Sequence, residues 1–274
     1  MTDSGTDGTN IDLIKLGGSL ITDKTRPRTA RIEVIARLAS EIKIALESAE
    51  VPVVVGHGSG SFGHVAAKEF AIHRGVDTVD QLPGVGITQE QASQLHSLVV
   101  ESLIEAGVPI FSLAPSSFTV ASAGVMETLW PEPLIQALRI GLVPAIYGDV
   151  VMDKEWGASI CSTEALFLAL APALASRGRF VRRVIWLGET EGVLDDSGEV
   201  IPEIDVDDMP ELIHSVEGAA GVDVTGGIRL RLEAVQTLAR LGVPSWIGNG
   251  LEAGSLVAAL AGAPKGGTNI FSGR

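Results

Sequence analysis

Short apolar runs alternate with longer stretches of helical periodicity along most of this chain. The runs at 11–16, 51–56, 109–114, 143–148, 182–188 and 243–248 are β-branched or aliphatic and bounded by turn residues, so they predict buried strands. Between and after them, apolar positions recur at helical spacing near 31–48, 64–71, 88–106, 131–140, 163–176, 207–217, 227–241 and 252–262. Strand–helix alternation of this kind predicts an α/β fold with a mainly parallel sheet covered on both faces. Turn residues between apolar flanks at 149–157 and 195–203 predict two small hairpins. The polar stretch 1–10 reads as a flexible tail, and 74–86, with three glycines and a proline, as a mobile loop.

Composition narrows the function classes. The chain has 274 residues and a net charge of −14, so a general electrostatic attraction to nucleic acid or anionic membrane is not expected. No apolar run is long enough to predict a membrane span. A lone cysteine, Cys161, and a polar start without signal-peptide character point to the cytoplasm. Cys161 has no base near it in sequence, and no His/Cys/Asp spacing suggests a bound metal. Only six lysines occur, and two of them, Lys15 and Lys24, flank one glycine loop.

Two such loops carry the candidate chemistry. Lys15-Leu16-Gly17-Gly18-Ser19 follows the first strand, and Gly56-His57-Gly58-Ser59-Gly60-Ser61-Phe62-Gly63-His64 follows the second. Glycines at a strand end let backbone N–H groups approach an anion, and a following helix adds its positive end. Two loops at neighbouring strand ends can hold two phosphorylated molecules face to face, which suits phosphoryl transfer. Gly58 to Gly63 also satisfies the dinucleotide pattern, but no acidic residue ends a second strand about twenty residues on. A phosphate-binding G-x-x-x-x-G-K-[ST] loop is absent. His64, read as the start of the helix after Gly63, can donate a hydrogen bond to a phosphate oxygen. His57 reads as satisfying backbone groups in the turn, and His73, His96 and His214 belong to no evident constellation.

Lys15-Leu-Gly-Gly-Ser19, Thr22-Asp23-Lys24, Gly58-Ser-Gly-Ser-Phe-Gly-His64, Pro115-Ser-Ser-Phe118, Gly148-Asp149 and Asp223-Val-Thr-Gly-Gly227 occur in this order. In these the chain resembles the isopentenyl phosphate kinases of the amino acid kinase superfamily, over about 11–270. The resemblance implies a three-layer αβα sandwich, with an acceptor lobe over 11–160 and a nucleotide lobe over 161–274. It implies transfer of a phosphoryl group from ATP, with Mg2+, to isopentenyl phosphate or a related isoprenoid monophosphate, by a cytoplasmic homodimer. Lys15, Lys24 and His64 are then catalytic. Gly17, Gly18, Ser19, Gly60, Glu189, Gly226 and Arg229 bind nucleotide, and Ser59, Gly63, His64 and Gly148 bind the acceptor. Three stretches depart from the family's pattern: Cys161-Ser-Thr-Glu164, Gly188-Glu-Thr-Glu-Gly192, and Arg229 in place of a lysine. The alternatives are a superfamily kinase for another acceptor, such as fosfomycin, and a nucleotide-binding regulatory homologue without catalysis.

Overall fold

The computed structural model describes residues 9–48, 51–218 and 227–273, with the side chains of His64, 215–218 and 227 outside that description. The elements run β1 (Thr9–Leu16), α1 (Gly18–Ile21), α2 (Ile32–Ser48), β2 (Val53–His57), α3 (Gly60–Glu69), α4 (Leu82–Glu105), β3 (Ile110–Ser112), β4 (Thr119–Ser122) and β5 (Val125–Leu129). There follow α5 (Glu132–Arg139), β6 (Val143–Tyr147), β7 (Asp149–Asp153), β8 (Gly157–Cys161), α6 (Thr163–Ala175) and β9 (Arg179–Gly188). The last are β10 (Glu203–Asp205), α7 (Met209–Gly218), α8 (Gly227–Arg240), β11 (Ser245–Asn249), α9 (Ser255–Leu260) and β12 (Thr268–Phe271).

An eight-stranded sheet in the order β10-β12-β11-β9-β1-β2-β6-β3 forms the middle layer. Its pairs are parallel except β11 with β12. Strands before residue 160 lie to one side of the β1–β9 junction and strands after it to the other, with β1 central. Because successive strand side chains alternate between faces, each central strand feeds two cores. Ile11, Leu13 and Val54 pack with Leu166, Phe167, Leu232 and Val235 of α6 and α8. Ile14, Leu16, Val53 and Val55 pack with Leu38, Ile42, Leu95, Val99 and Leu256 of α2, α4 and α9. The result is the expected three-layer sandwich. A four-stranded sheet, β5-β4-β7-β8, contains the 149–157 hairpin that the sequence predicts. The second expected hairpin is a single bridge between Leu194 and Val200.

Two expectations need correction. Residues 74–86 are not an unstructured loop: they form 3₁₀ turns at Ile72–Arg74 and Val79–Gln81, then the first turn of α4. Gln81 fastens the segment, its amide donating to the Phe70 and Gly75 carbonyls and its oxygen accepting from the Asp77 and Thr78 N–H groups. The helix after the second glycine loop starts at Gly60, so His64 is its fifth residue rather than its first.

Candidate active site

The register Lys15↔Gly56 and Leu16↔His57 sets the two glycine loops side by side at the C-terminal edge of the sheet. They touch through backbone. A Cβ on Gly18 would stand 2.7 Å from the Gly60 nitrogen, and one on Gly58 would stand 3.0 Å from the Gly18 nitrogen. Gly60 has φ +51° and any Cβ there would collide with Thr22, so glycine is required twice over. The Thr22 hydroxyl donates to the Gly18 carbonyl (2.6 Å) and accepts from the Ser61 N–H (3.0 Å), stapling one loop to the other. Ser19 sits in α1, which is only four residues long. The Gly17 N–H donates to the Leu187 carbonyl (2.8 Å), so the first loop offers only the local N–H groups beyond it rather than a long helix dipole.

Lys15, one residue before the end of β1, faces α6 and is buried. Its ammonium hydrogen-bonds the carboxylate of Glu164, itself buried in the first turn of α6. That turn is capped by Ser162, whose Oγ accepts from the Ala165 N–H at 3.1 Å. Burial lowers the Lys15 pKa, Arg231 and Lys24 push the same way, and Glu164 opposes them. Burial alone would raise Glu164, but the Lys15 charge and hydrogen bond, with Arg231, outweigh it and hold the carboxyl low. A salt-bridged pair is the state consistent with both. Lys24 is exposed in the turn beyond Thr22.

Arg231 of α8 completes the basic side. A Cβ on Gly188 would lie 3.0 Å from its guanidinium, and one on Gly17 would lie 3.6 Å from it. Arg229, the residue the sequence favours, pairs instead with Glu233 along exposed α8 (2.8 Å). Gly226 lies outside the described residues. Glu189, just past β9, pairs with Arg31 at 2.7 Å, and Glu191 accepts from Asn249 at 2.8 Å. Among the described residues no group of three His, Cys, Asp or Glu side chains could hold a metal ion.

At the second loop, the His57 carbonyl accepts from both the Gly148 N–H (2.9 Å) and the Thr163 hydroxyl (2.6 Å). Gly148 thereby closes against the second loop, and a Cβ on it would stand 3.6 Å from the Ser59 nitrogen. Gly63 packs on the Ser59 side chain, where a Cβ would meet Oγ at 3.0 Å. Beneath them His57 Nε2 meets His96 Nδ1 at 2.9 Å, with Tyr147 stacked on both rings. His96 thus joins a constellation that the sequence does not disclose. Asp149 accepts from the Val150 and Ser116 N–H groups, and burial raises its pKa. Cys161 is buried and its thiol pKa is pushed up by burial, against a nucleophile. In α4, a Cβ on Gly86 would meet nothing within 4 Å, so the helix face beside it is open.

Glu164 and Arg231 are the site residues that sequence reasoning missed. Glu164 is visible in sequence only as a departure from a family pattern. Arg231 is two positions from the favoured arginine and differs from it only in helix face.

Two adjoining glycine loops with a buried lysine beside them suit a small-molecule kinase. A sequence model of the amino acid kinase family matches residues 11–249, and the chain belongs to that family. Within it, the chain is 32% identical to an isopentenyl phosphate kinase of Methanothermobacter thermautotrophicus, covering 94% of this chain and 98% of that one. It is 28% identical to the isopentenyl phosphate kinase of Methanocaldococcus jannaschii, over 96% of this chain and 99% of its relative. A solved isopentenyl phosphate kinase structure superposes with a TM-score of 0.77 at 29% identity, covering 95% of this chain and all of that one.

Proposed function

We propose that this chain transfers the γ-phosphoryl group of ATP to isopentenyl phosphate, forming isopentenyl diphosphate. The observation that carries the reading is the backbone contact between the Gly17–Gly18 and Gly58–Gly60 loops, with buried Lys15 beside it. Near-full-length likeness to isopentenyl phosphate kinases supports the choice of substrate. In this reading Gly17, Gly18, Ser19, Gly60, Glu189, Gly226 and Arg231 serve the nucleotide, and Arg231 takes the role that the sequence favours for Arg229. Ser59, Gly63, His64 and Gly148 serve the acceptor phosphate. Residues 11–160 form the acceptor half and 161–274 the nucleotide half of one sheet, and the active unit is a cytoplasmic homodimer.

Phosphoryl transfer asks the protein mainly for alignment and for neutralisation of charge on the equatorial oxygens. Lys15 and Arg231 supply that charge, Glu164 holds the Lys15 ammonium and favours its protonated form, and Lys24 adds a cation from the exposed turn. A phosphate monoester loses its second proton near about pH 6, so the attacking oxygen needs no strong base. Among the described residues, the carboxylates Glu164 and Glu189 beside the loops are both paired, to Lys15 and Arg31. A magnesium ion held chiefly by nucleotide phosphates needs only one or two protein carboxylates, and Glu189 fits that need. When bound, the ion would neutralise charge between the β- and γ-phosphates. The α4 stretch from Val85 to Leu95 carries no aromatic side chain, which favours tails longer than isopentenyl.

An ADP-release screen over isopentenyl, dimethylallyl, geranyl and farnesyl monophosphates and fosfomycin tests the reading. Turnover with the five-carbon monophosphates is expected, with geranyl phosphate also accepted. Turnover with fosfomycin alone, or ATP binding without acceptor-dependent turnover, would overturn it.

A further inference from the structure

Two buried histidines have no part in the chemistry just described, yet they lie directly under the acceptor loop. His57 Nδ1 is 3.0 Å from the Gly58 carbonyl oxygen, His57 Nε2 is 2.9 Å from His96 Nδ1, and His96 Nε2 is 2.8 Å from the Ser112 hydroxyl. The contacts join β2, α4 and the edge strand β3. Tyr147 of β6 stacks on both rings, with centroids 5.8 Å and 4.2 Å away.

The chain can have only one direction when both rings are neutral. A carbonyl oxygen only accepts, so His57 Nδ1 must carry its proton. Its Nε2 then presents a lone pair, and His96 must donate from Nδ1. That leaves a lone pair on His96 Nε2, which only the Ser112 O–H can fill. Burial favours the neutral rings, holding His57 at about 4 and His96 at about 2.

We infer that His57, His96 and Ser112 form a one-way hydrogen-bond chain whose task is to aim the Ser59 N–H at the acceptor phosphate. The step from ring to donor is geometric. Gly58 C=O and Ser59 N–H belong to one planar trans peptide, and they point in opposite directions. Drawing the carbonyl down onto His57 in the core turns the N–H away from the core. The Ser59 nitrogen does lie on the Gly148 side of the loop, 3.6 Å from where a Gly148 Cβ would stand. His57, His96 and Ser112 are positioning residues: they touch neither substrate, and they act through one peptide plane. The inference rests on the reading of this loop as the acceptor site.

The test combines nitrogen NMR of the histidine rings with steady-state kinetics on the full chain. Both His57 and His96 should be Nδ1–H tautomers in the parent at about pH 7. His96→Leu should raise the KM for isopentenyl phosphate about tenfold or more, with the KM for ATP within about twofold. His96→Asn, which restores a donor near the Nδ1 position, should recover most of that loss. Ser112→Ala, at the end of the chain on an exposed strand, should fold normally and raise the same KM by about threefold. An Nε2–H tautomer at His57 would overturn the chain. So would equal changes in both KM values, or no rescue by asparagine. A parent that turns over no isoprenoid monophosphate would instead sink the acceptor-site reading and take this inference with it.

Discussion

Lys15 and His57 occupy nearly equivalent places on neighbouring strands, yet their surroundings are opposite. Each stands where its strand runs into a glycine loop, one register step apart, and each is buried. Lys15 points to the α6 face and meets a carboxylate, Glu164, with Arg231 close enough to perturb both. His57 points to the α4 face and meets a neutral ring, His96, under a tyrosine. The alternation of strand side chains makes the division possible. In the proposed reaction, one face delivers net positive charge to the place where phosphoryl charge moves. The other delivers rigidity without charge to the loop proposed to hold the second substrate. Burying a charge is tolerable only with a partner, while a satisfied neutral chain has no such requirement.

The comparison can be broken most forcefully at Glu164. Glu164→Ala leaves the Lys15 ammonium buried beside Arg231 with its acid gone, and should cost about 3–5 kcal/mol in urea unfolding. It should also move the alkaline limb of the kcat profile to lower pH, because Lys15 then loses its proton more easily. A variant as stable as the parent would deny the pair its importance.

The neutral side predicts a stability loss in acid. The folded pKa of His57, about 4, lies below the unfolded value of 6.5, so the unfolded chain binds more protons as pH falls. Its contribution is full above about pH 6.5 and shrinks towards about pH 4, by up to about 3 kcal/mol. Replacing both histidines together should flatten that slope in denaturant melts at stepped pH. An unchanged slope would mean that His57 and His96 are not both neutral in the fold.

Gly60→Ala should act on both sides at once, since the new methyl meets Thr22 and the backbone is left-handed there. A loss of about 1–3 kcal/mol is expected, with weaker binding of both substrates. The smallest effect belongs to Arg229→Ala: exposed and paired along its helix, it should cost less than about 0.5 kcal/mol. Arg231→Ala in parallel should lower kcat by at least about tenfold. Reversed outcomes for these two arginines would restore the assignment that the sequence favours.

Much of the fold is legible from patterning. The six strand runs, the loops at their ends and the two covered faces follow from short β-branched segments alternating with helical ones. What escapes is whatever depends on contacts between distant positions. Nothing local to Lys15 announces a partner 149 residues away, and nothing local to His96 announces His57. The β4–β5 hairpin escapes because its strands are short and β5 is largely exposed, so alternation is weak. The start of α4 escapes for a different reason. Gly84 looks like a breaker, but any Cβ there would collide with Phe70, so the glycine serves close packing. Arg229 and Arg231 are equally basic in sequence, and only the helix face decides which one reaches the loops.

In the proposed reaction, charge on the Lys15 face drives the transfer step while the His57 face governs acceptor placement. The most direct measurement is the single-turnover rate of phosphoryl transfer from ATP to isopentenyl phosphate, both saturating, in Lys15→Ala and in His96→Leu. The account predicts that Lys15→Ala is slower by at least about a hundredfold and that no acceptor concentration rescues it. It predicts that His96→Leu returns to within about threefold of the parent once the acceptor saturates. Equal slowing in both variants, or rescue of Lys15→Ala by more acceptor, would contradict it.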